Sequence, residues 1–305
     1  MADLIRFEGV IASTITPSRG HENAIPSYME FLRGRGVRGY YVLGTWGEGP
    51  RHGVEHRKRV AEKFVGNLET SEVAIVHVGA SDMETVKELL RHANDIGATA
   101  AAAVAPFYYR PDEETLFRFY AELSERSSIP VVLYNIPSRQ GYSLGFRIVS
   151  RVLGELGNVK GIKDSSGDPA LALELVSEFR DKRFIAIGSD ELIAYGFLIG
   201  ANATVSGVAG VFPEVVVGVY RSIREGRIEE GFRYQRLVNR ASSLLEGLGV
   251  EFETQRSALR IRGIDLGPPP EPVRQLTGDE LDRLKKGIEE VLVQIKTTDG
   301  LEMRS

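Results

Sequence analysis

Three side chains able to do chemistry stand in or at the ends of apolar runs. Lys163 interrupts VKGIKDSSGD (159–168), Tyr134 lies in IPVVLYNIP (129–137), and Thr45 ends GYYVLGT (39–45). A lysine in such a run has two readings. On the wet face of a surface strand it is a solvated cation. Facing a packed interior it is a lone charge, and burial then favours the neutral amine. A neutral amine beside a bound carbonyl is the starting point of a Schiff base. Hydroxyls such as those of Tyr134 and Thr45 could shuttle the protons that this chemistry requires.

The elements around these residues decide which reading applies. Apolar, β-branched runs recur at 9–16, 39–45, 73–79, 98–106, 129–137, 159–166, 184–190 and 201–210. Between them lie segments of helical spacing, among them 83–97, 114–127 and 170–179, and 213–226 supplies a helix after the last run. Near-continuous apolar strands alternating with amphipathic helices indicate a parallel sheet covered by helices. Eight such units indicate an α/β protein of the closed (β/α)8 TIM-barrel type over residues 1–226. From 227 to 305 the rhythm changes to helices alone, giving a C-terminal helical appendage interrupted by the proline-rich connector LGPPPEP (266–272).

In such a barrel the site lies where the strands end. Those positions hold Ser13 to Thr16, Thr45-Trp46-Gly47-Glu48, Phe107 to Arg110, Tyr134 with Ser138 and Arg139, Ser189-Asp190, and Ser206-Gly207. Strand parity places Gly161, Lys163 and Ser165 on the interior face if Ile162 packs outward.

Composition narrows the function classes. The chain has 305 residues, 42% hydrophobic and 26% charged, with a formal net charge of −4, so nothing electrostatic points to nucleic acid or an anionic membrane as partner. It contains no cysteine, which excludes thiolate catalysis and cysteine-ligated zinc. No apolar run approaches the roughly 20 residues of a membrane span, and MADLIRFEGV does not resemble a signal peptide; a cytoplasmic location is expected.

Three motifs point elsewhere. Gly34-x-Gly36-x-x-Gly39 has the form of a dinucleotide fingerprint, but follows a helix and precedes a strand, the reverse of what pyrophosphate binding needs. His52-x-x-Glu55-His56 matches a zinc pattern, yet sits among Arg51, Arg57, Lys58 and Arg59 with no third ligand, so a solvated helix face is expected. Asn202-Ala-Thr204 is a formal glycosylation sequon, placed within a strand candidate and set aside.

GVIASTITP, GTWGEGP, APFYYRP, YNIPSRQG and GIKDSSGD, in this order and spacing, resemble the dihydrodipicolinate synthase/N-acetylneuraminate lyase family of class I aldolases. The resemblance covers nearly the whole chain. It implies a homotetramer of (β/α)8 barrels that forms a lysine Schiff base with pyruvate or a 2-oxo acid, without metal or organic cofactor. Carried over, Lys163 is the Schiff-base lysine, Tyr134 the acid/base, and Thr45 the proton relay. The backbone N–H groups of Thr45 and Trp46 would hold the carboxylate of the 2-oxo acid, and Val205 belongs to the substrate pocket. Tyr108, with Tyr109 adjacent, matches the tyrosine that reaches a neighbouring subunit's site, and Arg139 the arginine that receives a second substrate's carboxylate.

Two departures bear on the substrate. Trp46 stands where the family usually has a second Thr or Ser, and is expected to narrow the pocket. The Asn-Pro-x-Pro-Val-Lys segment of many synthases is missing, and EFETQRSALRIRG with GPPPEPVRQL is more similar to the sugar-acid aldolases. Gly49, Pro50, Val54 and Arg57 do not resemble a lysine feedback site. Arg139 favours condensation of pyruvate with aspartate semialdehyde. Trp46 and the C-terminal region favour a 2-keto-3-deoxy sugar-acid aldolase; a related dehydratase or sialic-acid-type lyase also fits. A barrel of this family retained for binding or regulation alone is the contrasting reading, opposed by intact Lys163, Tyr134 and Thr45.

Overall fold

The computed structural model describes residues 5–250 and 252–302. Eight parallel strands close into a barrel in chain order: β1 (Gly9–Ser13), β2 (Gly39–Val42), β3 (Val73–His77), β4 (Ala100–Val104), β5 (Val131–Asn135), β6 (Val159–Asp164), β7 (Phe184–Ile187) and β8 (Ala203–Ser206). Each is shorter than the apolar run that announced it, because the run's last residues leave the ladder to build a loop. In β2 the left-handed Leu43 (φ 63) ends the strand, so Thr45 lies beyond it.

The alternation of side chains sets two cores. Ile11, Tyr41, Ile75, Ala102, Val132, Tyr134, Phe184, Ala186, Ala203 and Val205 pack in the barrel interior. The alternate residues, such as Tyr40, Val42, Ala101, Leu133 and Ile162, pack outward under the helices. Ile162 is in the outer core, so Lys163 faces inward, and the register places it beside Tyr134 of β5 and Ala186 of β7. The alanine-rich β4 is a strand because its interior positions lie against bulky neighbours. Ala102 pairs with His77 on one side and Val132 on the other.

The helices are α1 (Ile25–Arg33), α2 (Val54–Val65), α3 (Met83–Asp95), α4 (Glu113–Arg126), the single turn α5 (Pro137–Gln140), α6 (Phe146–Glu155), α7 (Pro169–Phe179), α8 (Ile193–Ile199) and α9 (Pro213–Arg224). Asp82, Asp112 and Asp168 cap α3, α4 and α7 by accepting backbone N–H bonds. Asp168 is the last residue of the SSGD turn after Lys163, so that turn launches a helix. Three further helices follow: α10 (Ile228–Glu246), α11 (Glu253–Ile261) and α12 (Gly278–Glu302), with the proline-rich connector between the last two.

Two expectations are corrected. The His52–His56 segment is not a solvated face. His52 precedes α2, and His56 is buried with Nε2 2.9 Å from Pro17 O and Nδ1 3.2 Å from Glu22 Oε1. Its neighbour Arg57 is 2% exposed and donates to the carbonyls of His77 and Gly79. Those backbone carbonyls replace water, a compensation that a charged sequence pattern does not reveal. Burial and neighbouring cations push His52 down to about 3, so it is neutral at ordinary pH. Among the described residues no group of three or more His, Cys, Asp or Glu side chains is arranged to hold a metal ion. Asn202 lies just before β8, not in it, and its side chain accepts from the Ile185 N–H. Arg139 lies in the one-turn helix α5.

Candidate active site

Lys163 is 3% exposed, and its Nζ lies 4.1 Å from the ring centroids of both Tyr41 and Tyr134. Aromatic faces are favourable neighbours for a cation that has lost its water. Tyr41 and Tyr134 meet edge to face at 5.7 Å, and His77 meets Tyr134 edge to face at 5.9 Å. His77 Nε2 accepts the Val104 N–H, and burial together with the positive charge of Arg57 and Lys163 keeps this ring neutral. The Tyr134 hydroxyl lies 3.0 Å from Thr45 Oγ1, and either can donate.

The loop carrying Thr45 is held from several directions. Glu48 N–H donates to Thr45 O, Gly49 N–H to Gly44 O, and Thr16 Oγ1 to Gly47 O at 2.5 Å. Gly49 has no room for a side chain, because a Cβ there would lie 1.9 Å from the Leu43 carbonyl oxygen. The Thr45 and Trp46 N–H groups, by contrast, donate to no group among the described residues.

Above Lys163 are two adjoining cavities. One, of about 220 Å³, is polar and takes in Lys163, Tyr134, Ser165, Asp190, Glu246 and Val205. The other, of about 210 Å³, is bounded by His77, Val104, Phe107 and Phe252. Thr45, Ile136 and Arg139 line both. Trp46 closes part of the polar cavity, its ring 6.2 Å from that of Phe252. A Cβ on Gly207 would come within 2.0 Å of the indole, so this glycine makes room for the tryptophan.

Lys163, Tyr134, Thr45, Trp46, Arg139 and Val205 therefore converge on one space. Tyr108 does not join them within the chain. It is 85% exposed, Tyr109 is 80% exposed, and Phe107 is the member of that loop that lines the cavity. The sequence did not single out Tyr41, His77, Phe252 or the α10 residues Ser242 and Glu246. Tyr41 and His77 share the interior parity of Lys163, a signal that could have found them. Phe252 and Glu246 come from the helical region, where no strand parity applies.

The model of the dihydrodipicolinate synthetase family matches residues 6–291. The chain belongs to this family. Among curated dihydrodipicolinate synthetase family relatives, a 4-hydroxy-tetrahydrodipicolinate synthase of Methanothrix thermoacetophila is 32% identical over 92% of this chain and 95% of its own. An uncharacterised DapA-like lyase of Thermococcus onnurineus is 28% identical over 94% and 100%. Among solved structures, a catalytic lysine mutant of the Ruminococcus gnavus sialic acid aldolase superposes with a TM-score of 0.91 at 25% identity, covering 98% of this chain and 100% of that one. Lyase or aldolase chemistry is thus the family's common ground. No described helix is long and apolar enough to cross a membrane.

Proposed function

We propose that this chain is a Schiff-base lyase in which the Lys163 amine attacks the C2 carbonyl of pyruvate or another 2-oxo acid. The observation that carries the reading is a buried lysine beside a tyrosine whose hydroxyl is 3.0 Å from a threonine hydroxyl. Addition of the amine gives a carbinolamine. Tyr134 protonates the departing hydroxide, which leaves as water and gives the iminium, and Thr45 resupplies the proton. The substrate carboxylate takes the Thr45 and Trp46 N–H groups, which have no other acceptor among the described residues. The iminium withdraws electrons from C3, so loss of a C3 proton, or cleavage of the C3–C4 bond of a longer keto acid, yields the same enamine. In synthesis the enamine attacks an aldehyde carbon. Tyr108 of a neighbouring subunit completes the relay in the assembled homotetramer.

The second substrate is best read as a small aldehyde bearing a carboxylate, with aspartate semialdehyde the leading candidate. Arg139, placed where the two cavities meet, supplies a guanidinium for that group. A second reading, cleavage of a 2-keto-3-deoxy sugar acid, draws on other residues of the polar cavity. There Ser189, Asp190, Glu191, Ser242 and Glu246 offer acceptors and hydroxyls suited to a polyhydroxy chain.

Treatment with pyruvate and borohydride, followed by peptide mass spectrometry, tests the mechanism. A reduced pyruvyl adduct on Lys163, lost in Lys163→Ala, is expected; a folded protein without adduct would overturn the reading. Arg139→Ala is expected to lower condensation with aspartate semialdehyde by roughly 100-fold, as for loss of a charged anchor. It should change keto-deoxy-sugar-acid cleavage far less, and equal losses would remove the assignment of Arg139.

A further inference from the structure

Arg256, on α11, is the largest fully buried side chain and is 0% exposed. Its Nη2 donates to Glu48 Oε2 at 3.1 Å and to Thr16 O at 3.0 Å, while Nη1 donates to Leu266 O at 3.1 Å. One guanidinium therefore ties the C-terminal helical region to the loop after β1 and to the loop that carries Thr45. Both tied points bear on that second loop. Thr16 Oγ1 holds Gly47 O, and Glu48 sits in a left-handed conformation (φ 52) with its N–H on Thr45 O. A non-glycine residue in that conformation is costly and persists only where its surroundings hold it.

We propose that Arg256 is a positioning residue that sets the Thr45 hydroxyl against Tyr134. A fully buried arginine–glutamate pair is a poor device for stability, because desolvation offsets most of its attraction and an apolar pair of similar volume serves as well or better. What the pair offers here is direction. The planar fork meets a carboxylate and two carbonyls at once, a geometry that neither an apolar side chain nor a lysine can reproduce. It also fixes the start of α11, where Phe252 lines the cavity against Trp46. The inference rests on the relay role proposed for Thr45.

The test follows exchange of the pyruvate C3 hydrogens in D2O, read as loss of the methyl signal by proton NMR. This reports enamine formation and needs no second substrate. Arg256→Met alone would leave Glu48 Oε2 buried without its donor, with Arg51 on Oε1 as the carboxylate's remaining cation, so Arg256→Met is combined with Glu48→Gln. That double variant is expected to slow exchange by about tenfold or more, as a displaced proton relay would. The deciding readout is a cycle with Thr45→Val. If Arg256 acts through Thr45, Thr45→Val slows the parent protein strongly but changes the double variant by less than about twofold. Full additivity overturns the proposal and leaves the Thr45 relay standing. No effect of Thr45→Val on the parent overturns the relay, and the role of Arg256 with it. Should the double variant not fold, Arg256→Lys, which keeps the charge without the fork, enters the same cycle with the same criteria.

Discussion

Asp190 is the residue whose charge state most directly shapes the space above Lys163. Burial pushes its carboxyl up to about 6, although hydrogen bonds from Ser206 Oγ and the Val208 N–H, and the charge of Lys163, pull the other way. A carboxyl whose folded pKa exceeds its unfolded value of about 3.9 favours the folded state most at low pH. That contribution is fully present below about pH 4 and lost progressively as pH rises to about 6, beyond which it stays lost. Asp190→Asn imitates the protonated form. Its melting temperature should therefore exceed that of the parent at pH 8 and converge with it near pH 4. A constant offset across that range would contradict the buried, neutral form. The same variant should remove an inflection near pH 6 from the rate of adduct formation, because the carboxylate no longer appears beside the amine.

The strand–turn–helix unit explains which parts of the site could be read from sequence. Parity along β6 gave the inward direction of Lys163, since an interior position differs from an exterior one by a single residue. Nothing in a local pattern announces that Asn135, buried at the end of β5, donates to Asp164 Oδ1 at 2.7 Å and accepts from Gln140 Nε2 at 3.0 Å. Gln140 in turn accepts the Ile136 N–H, so this chain of amides orients α5, the turn that carries Ser138 and Arg139. Asn135→Ala should cost roughly 1–3 kcal/mol in chemical denaturation, the penalty of leaving buried polar groups unmatched. It should also weaken selection for a carboxylate-bearing aldehyde, because Arg139 loses its footing. Asp168→Ala, which removes only the cap of α7, serves as the comparison. It is expected to cost about 1 kcal/mol and leave selectivity unchanged. Equal selectivity in both variants would show that α5 needs no such bracing.

At the scale of the molecule, the barrel was legible because eight apolar runs separated by helices admit few arrangements. The packing of α11 was not. Its residues Glu253–Leu259 include five polar or charged side chains and are all buried. Helical periodicity records which face is apolar, but not a guanidinium matched to a carboxylate and a carbonyl more than 200 residues away in the chain. Tyr108 presents the reverse case, an aromatic residue held in a left-handed conformation (φ 73) and left exposed beside an exposed Tyr109. Adjacent large aromatic rings in water are what an unfilled contact looks like. If Tyr108 serves a neighbour's site, the defect of Tyr108→Phe lies in the subunit opposite, while that of Lys163→Ala stays in its own. Dissociating and reassociating the two variants together would then give mixed pairs with one site in which both residues are intact. Activity in the mixture should rise to about a quarter of the parent value, since half the pairs are mixed and each holds one working site of two. Activity no higher than the average of the two separate variants would place Tyr108 outside its neighbour's chemistry.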